Sequence, residues 1–151
     1  MRVGGSAAAV AAAGVVVAVD QATKQLAATR IAPFEPVDVV PGLQLTNTRN
    51  TGVAFGALEG GGLIVAVLIG LALTALIAYF VANRERAWLW LPVGLLLGGA
   101  LGNLADRARE GAVIDFIDPI AWPAFNVADS CIVIGVVALV WLVEGGRPRS
   151  A

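Results

Sequence analysis

Four stretches of about 20 mostly apolar residues recur along this chain, and they limit its fold more than any other feature. A hydrocarbon layer about 30 Å thick takes about 20 helical residues to cross, so each stretch predicts one spanning helix: residues 7–28, 63–81, 88–105 and 124–143. The first is apolar through Val19 and then carries Asp20 and Lys24, whereas the second holds no charge. The third contains Pro92 with Gly94, Gly98, Gly99 and Gly102. Small residues of this kind serve tight helix packing or leave lateral room between helices. The fourth is polar only near its start, at Asn126, Asp129 and Ser130. Composition agrees with lipid as the solvent: of 151 residues, 58% are hydrophobic and 14% charged, where a soluble domain is about a quarter charged. Mean hydropathy is +0.83. The expectation is a membrane all-α fold, one integral domain over residues 1–151.

What the chain lacks narrows its chemistry. Ten Lys and Arg against eleven Asp and Glu leave a formal charge of −1 with no basic run, so the electrostatic footprint of a nucleic-acid partner is missing. Histidine is absent and the single cysteine, Cys131, lies in an apolar run. Disulfide frameworks and zinc spacings that need His or paired Cys are thereby excluded. Histidine-based triads go with them, which leaves carboxylates, the lone Lys24 or backbone groups as catalytic means. No metal or cofactor is expected. Two minor alternatives use the same residues: an oxygen-ligated Mg²⁺ or Ca²⁺ at Asp106, Asp115, Asp118 and Asp129, and a Ser/Lys hydrolase pairing Lys24 with Ser130.

The connections differ in kind. Residues 29–62 carry Pro33, Pro36, Pro41 and Gly42 with the runs Val37-Asp38-Val39-Val40 and Leu43-Gln44-Leu45, which predict a small β-rich element at the membrane surface. Residues 107–123 hold a second β-like run, Ala112-Val113-Ile114-Asp115-Phe116-Ile117, before Trp122-Pro123. Residues 83–87 form a minimal link. Four spans place both termini and this link on one side and the two long connections on the other. Lys and Arg divide five and five, but Arg2, Arg84, Arg86, Arg147 and Arg149 are packed into far fewer residues, so the positive-inside rule puts the termini in the cytoplasm. Trp88, Trp90 and Trp141 then lie at the cytoplasmic interface and Trp122 at the other. The Met1-Arg2 start with its Ala and Val stretch also has the make-up of a secretory signal peptide; no signal-like break precedes Asp20, and it is read as a retained span.

Under this topology Asp20 and Lys24, Asn103, Asp106 and Arg107, and Asn126 and Asp129 fall at one depth. Spacings of three and four put each set on one helical face. Asp20 and Lys24 suit an ion pair that eases a helix end through the interface, and Asp106 with Arg107 suits a structural ion-pair network. Asp115, in a strand-like apolar run, and Asp129, one turn into a helix, have no basic partner in their own segments. Two carboxyls brought together at low dielectric cannot both ionise readily and share a proton, which supplies the acid and the base of an aspartic protease. The bland alternative has Asp129 capping its helix and Asp115 facing solvent. A proton-coupled carrier using Asp20 or Asp129 is the rival class; it wants titrating groups near midplane and internal repeats, and the sequence offers neither.

Five motifs can now be taken as a set: Asp20-Gln21-Ala22-Thr23-Lys24, Asn50-Thr51-Gly52-Val53-Ala54-Phe55-Gly56, Gly98-Gly99-Ala100-Leu101-Gly102-Asn103-Leu104-Ala105-Asp106-Arg107, Gly111-Ala112-Val113-Ile114-Asp115-Phe116 and Phe125-Asn126-Val127-Ala128-Asp129-Ser130. In this order they resemble the lipoprotein signal peptidases, or signal peptidase II. The resemblance implies a four-span aspartyl protease of the bacterial inner membrane that removes signal peptides from prolipoproteins, cutting before a diacylglyceryl-modified cysteine at the outer face. It implies Asp115 and Asp129 as the catalytic dyad, with supporting roles for Asp20, Lys24, Asn50, Gly52, Asn103, Asp106, Arg107 and Asn126. It also implies that residues 29–62 form a periplasmic β-cradle with a short amphipathic helix beginning near Asn50. Diacylglyceryl-prolipoproteins, membrane lipid and the cyclic peptide inhibitor globomycin are the partners it implies, for a protein expected to be a monomer. Val53 departs from the family's usual Ala, and the interval from Asp115 to Asp129 is short for the family. For the oxyanion of peptide hydrolysis, Asn50, Asn126 and Arg107 are the candidate donors.

Overall fold

A computed structural model describes residues 4–33, 35–51 and 62–145 of the chain. Helix α1, Gly4–Arg30, buries Ala9, Ala13, Val16, Asp20, Lys24 and Ala27, positions three or four apart that form one stripe. The stripe is small and apolar through Val16, charged at Asp20 and Lys24, and apolar again at Ala27. Helix α3, Trp90–Glu110, packs on it through glycine: a Cβ at Gly98 would lie 2.6 Å from Val16 Cβ and 2.8 Å from the Ala13 carbonyl oxygen. On the other side of α3, a Cβ at Gly99 would lie 2.5 Å from the Ala128 carbonyl oxygen of helix α4, Val127–Gly145. The small residues of α3 are therefore taken up by close packing on α1 and α4, and the reading in which they leave lateral room is set aside.

Helix α2, Gly62–Ala82, is apolar around its whole circumference. None of its described side chains is fully buried, and Ile69, Leu73, Leu76 and Phe80 make a half-buried stripe toward α3. An apolar groove of about 490 Å³ remains between α2, α3 and α4, lined by Ile69, Leu73, Leu76, Leu96, Ala100 and Ile132 among others. At the end where α1 begins, Ala9, Leu89 and Val93 form a core with Tyr79, Phe80 and Leu139 against it. Among the described residues, α1 and α4 are long and apolar enough to cross a membrane.

Helix α3 runs five residues past the predicted span end at 105. Arg107 and Arg109 in its last turn suit the negative end of the helix dipole, and it stops at Gly111, whose left-handed φ of 71° lets its N–H cap the Arg107 carbonyl. The chain then enters β3, Val113–Pro119. Strands β1, Val37–Val40, and β2, Leu43–Asn50, join β3 in one antiparallel sheet of order β1-β2-β3. Its register sets Thr48 opposite Asp115 and Asn50 opposite Val113. The two β-like runs, read separately in the sequence, are thus one sheet, and β2 extends to Asn50, well beyond the alternating run. Phe116 of β3 packs with Ala27 and Ile31, which ties the sheet to the end of α1. Gly52, Val53 and the implied amphipathic helix fall outside the described residues.

Candidate active site

The end of α1, the end of α3 and the start of α4 meet in a buried polar layer. Lys24, 1% exposed, places its ammonium 2.8 Å from Asp20 Oδ2, 2.7 Å from Asp106 Oδ2 and 2.8 Å from Asn103 Oδ1. A buried ammonium is tolerated only when paired and hydrogen-bonded, and here each of its three N–H bonds has an oxygen. The i,i+4 pair anticipated within α1 exists, and the same lysine also joins α1 to α3. Arg107 departs from expectation. Asp106 pairs with Lys24 and, at 3.7 Å, with Arg109, while the Arg107 guanidinium turns back to the Asn103 carbonyl at 3.4 Å and joins no ion pair among the described residues. Neighbouring residues on a helix point about 100° apart, so one of two adjacent charges faces inward and the other does not.

Asp20 also serves α4. Its Oδ1 accepts the N–H of Ala128 at 2.9 Å, one of the N-terminal amides a helix cannot satisfy itself. Gly102 makes room for this carboxylate, since a Cβ there would stand 2.6 Å from Asp20 Oδ2. Gln21, left out of the site on sequence grounds, bridges the two acids: its amide N–H groups reach Asp106 Oδ1 at 2.8 Å, Asp20 Oδ2 at 3.2 Å and the Gly102 carbonyl at 3.2 Å. Its place beside Asp20 and one turn before Lys24 was the available signal.

Asn126 organises the remaining two carboxylates. It caps α4, its Oδ1 accepting the Asp129 N–H at 2.9 Å while Asp129 Oδ2 accepts the Asn126 N–H at 3.2 Å, a reciprocal capping box. With its oxygen committed to a backbone N–H, the Asn126 amide nitrogen must face away, and it donates to Asp115 Oδ1 at 2.7 Å and to Asn103 Oδ1 at 3.2 Å. Asn103 in turn donates to Asp129 Oδ1 at 2.8 Å. Asp115 Oδ2 accepts from Asn50 Nδ2 at 2.9 Å. One residue, Asn126, thus holds Asp115 through its side chain and Asp129 through its backbone.

Asp115 does not face solvent; it is 2% exposed. Burial pushes its carboxyl above the ordinary carboxylate range, with the hydrogen bond from Asn50 working against this and the charge of Asp129 adding to it. Asp129 does cap its helix, and that bond is part of what fixes it beside Asp115. Capping the helix and standing beside Asp115 are compatible for Asp129.

The rival constellations do not assemble. The Ser130 hydroxyl donates to the Asn126 carbonyl at 3.1 Å and Lys24 is fully engaged elsewhere. Of the four carboxylates considered as oxygen ligands, Asp106 is taken by Lys24 and Asp118 lies opposite Gln44 in the sheet. Among the described residues no three acidic or thiol side chains group as they would around an ion.

Comparison with known proteins adds an independent line. A family model described as signal peptidase (SPase) II matches residues 12–143. A lipoprotein signal peptidase of Moorella thermoacetica is 43% identical over 128 residues, 83% of this chain and 85% of that protein. One from Pelotomaculum thermopropionicum is 40% identical over 139 residues, 91% of each. Among solved structures, a bacterial membrane enzyme determined by the in meso method at 1.9 Å resolution superposes with a TM-score of 0.84 at 33% identity, over 92% of this chain and 94% of that one.

Proposed function

The chain belongs to the signal peptidase II family, a membrane protease that removes signal peptides from prolipoproteins, and on that premise we propose that Asp115 and Asp129 carry the reaction. The observation behind this is the double grip of Asn126, which holds both carboxylates from one residue at 2.7 and 3.2 Å. Burial favours the protonated form of Asp115, so Asp115 is the acid and Asp129 the base. Asp129 takes a proton from water as the oxygen attacks the scissile carbonyl, and Asp115 gives its proton to the carbonyl oxygen. Asp129 then passes its proton to the scissile nitrogen while Asp115 takes one back from the gem-diol, and as the C–N bond breaks the amine of the lipidated cysteine leaves and a carboxylic acid remains. No covalent intermediate is needed. Proton transfer of this kind supplies about 10²- to 10⁴-fold, and fixed geometry and oxyanion donors supply the rest. Asn126 spends its N–H bonds inside the network. Asn50, exposed at the strand end beside Asp115, and Arg107, half-exposed at the layer's edge, are the candidate donors toward substrate.

All four helices cross the membrane in this reading, with both termini cytoplasmic and the sheet at the outer face. Helices α2 and α3, 21 residues each, measure about 32 Å, enough for the hydrocarbon layer. Exposed Trp88 and Trp141 mark one end of the bundle and exposed Trp122 the other, as interfacial tryptophans do. The groove beside α2 takes the apolar part of the substrate: Ala100 and Ile132, which line it, stand one turn from Asn103 and Asp129, so it leads up to the dyad. The protein acts as a monomer on diacylglyceryl-prolipoproteins and is inhibited by globomycin. The test is gel-shift cleavage of a lipidated prolipoprotein by the purified chain, with and without globomycin. Cleavage abolished in both Asp115→Asn and Asp129→Asn supports the dyad, and appreciable activity in either removes it.

A further inference from the structure

Lys24 stands apart from the hydrolysis described above, because Asp20, Asp106 and Asn103 consume its three N–H bonds. One of those bonds leads to the dyad. An ammonium has donors only, so the atom that Asn103 turns toward it must be the carbonyl oxygen, and the amide nitrogen is left facing Asp129 Oδ1 at 2.8 Å. A flipped amide would set N–H against ammonium and oxygen against carboxylate, replacing two charge-assisted hydrogen bonds with two repulsions. The Asn103 oxygen also accepts from Asn126 at 3.2 Å, so the same orientation supports the residue that spaces the carboxylates.

We propose that Lys24 is a positioning residue for the dyad: through Asn103 it holds an N–H on Asp129 and fixes the plane of that carboxylate relative to Asp115. Asp20 and Asp106 hold the ammonium from two sides, and Gln21 joins those acids, so Lys24 has no other direction in which to point. The inference rests on the dyad reading and adds a chain of action, from α1 through α3 to α4, that does not touch substrate.

The test is a double-mutant cycle on kcat and KM with a diacylglyceryl-prolipopeptide. Lys24→Met is made together with Asp106→Asn, which leaves the buried group at the charge it has now: Asp20, Asp106 and Lys24 sum to −1, and Asp20 alone is −1. The pair is expected to lower kcat about tenfold or more with KM changed by less than about twofold. In an Asn103→Ala background the same pair is expected to lower kcat by less than about twofold further, because the contact it acts through is gone. Lys24→Gln with Asp106→Asn keeps an N–H for the Asn103 oxygen and is expected to restore kcat to within about threefold of the parent. Should the Met version fail to fold, the Gln version decides: kcat within about threefold of the parent, lowered by Asn103→Ala as much as the parent's is, supports the inference, and a loss of about tenfold or more in the Gln version overturns it. Unchanged kcat in the Met version, or losses that multiply in full with Asn103→Ala, would overturn the inference while leaving the dyad in place. Cleavage by Asp115→Asn or Asp129→Asn would instead remove the dyad reading itself.

Discussion

Helices α2 and α3 are both 21 residues long and pack side by side, yet they are built for opposite purposes. Helix α3 is fitted on two faces: glycine meets α1 and α4 at distances where a Cβ would collide, and Asn103 and Asp106 are buried among exact partners in charge and geometry. Helix α2 has one half-buried stripe, no charge and a groove along its flank. An apolar surface in lipid gains little from being covered, because the lipid is as apolar as the side chains. Polar groups in lipid have no such freedom and must be satisfied internally. The closely fitted half of the molecule is therefore the half that carries the polar layer, and the loosely held half is where the proposed reading seats the lipidated peptide.

The contrast is broken most severely at the proposed dyad. Asp115→Asn and Asp129→Asn are each expected to reduce cleavage by about 10³-fold or more while the protein stays in the membrane, as gel-shift cleavage and detergent extraction would show. Asp115→Asn should also report on burial. A carboxyl held above its ordinary range contributes stability below about pH 4, and that contribution is lost as pH rises through the raised value. Burial penalises the charged form increasingly as pH rises, so the melting temperature of Asp115→Asn relative to the parent should be higher at pH 8 than at pH 4. A difference that does not change with pH would mean that burial does not act on this carboxyl.

Next comes the close-packed face. Gly102→Leu drives side-chain atoms into the space of Asp20 Oδ2, and overpacking of this kind costs about 1–3 kcal/mol or more. The expected outcome is a lower yield of folded protein and a lower melting temperature, together with lost cleavage as Asp20 releases the Ala128 N–H. On α2, Ala72→Phe is expected to leave melting unchanged and to raise KM about five- to tenfold with kcat preserved, because Ala72 lines the groove and touches no polar group. If Ala72→Phe destabilised the protein as much as Gly102→Leu, the contrast between the two helices would fail.

Much of the rigid half was legible in the sequence, for reasons that differ by residue. Spacings of three and four put Asp20 on one face with Lys24, and Asn126 on one face with Asp129, and the expense of charge in lipid made those positions informative. The helix of α3 could be placed but not its end, since an apolar count stops at 105 whereas the backbone stops at Gly111. Local spacing is silent on partners from distant segments, so the sequence matches Lys24 with Asp20 and not also with Asp106, and shows β2 and β3, separated by two helices, as separate pieces. Charge and adjacency to Asp106 suggest an ion-pair network for Arg107 in the sequence, although adjacency on a helix means divergence. In the sequence the glycines of α3 admit two uses, and only the positions of Ala13, Val16 and Ala128 choose between them.

The smallest expected effect sits between the two halves of the comparison, at the surface where the sheet meets the end of α3. Arg49 of β2 pairs with Glu110, the last residue of α3, and each side chain is 45% exposed. An ion pair in that setting is screened by water and salt and is worth about 0.2–1 kcal/mol. Yet it neighbours Asn50, whose amide donates to Asp115, so a loose strand end could reach the site. The backbone argues against such a route: Arg49 and Asn50 are held to Ile114 and Val113 by strand pairing that needs neither charge. Arg49→Gln and Glu110→Gln are therefore each expected to change kcat and KM by less than about twofold and to shift melting by no more than about four degrees. A large loss of kcat in either variant, restored by exchanging the two charges, would show that the register of Asn50 depends on the ion pair and that the rigid region extends beyond the buried layer to the sheet edge.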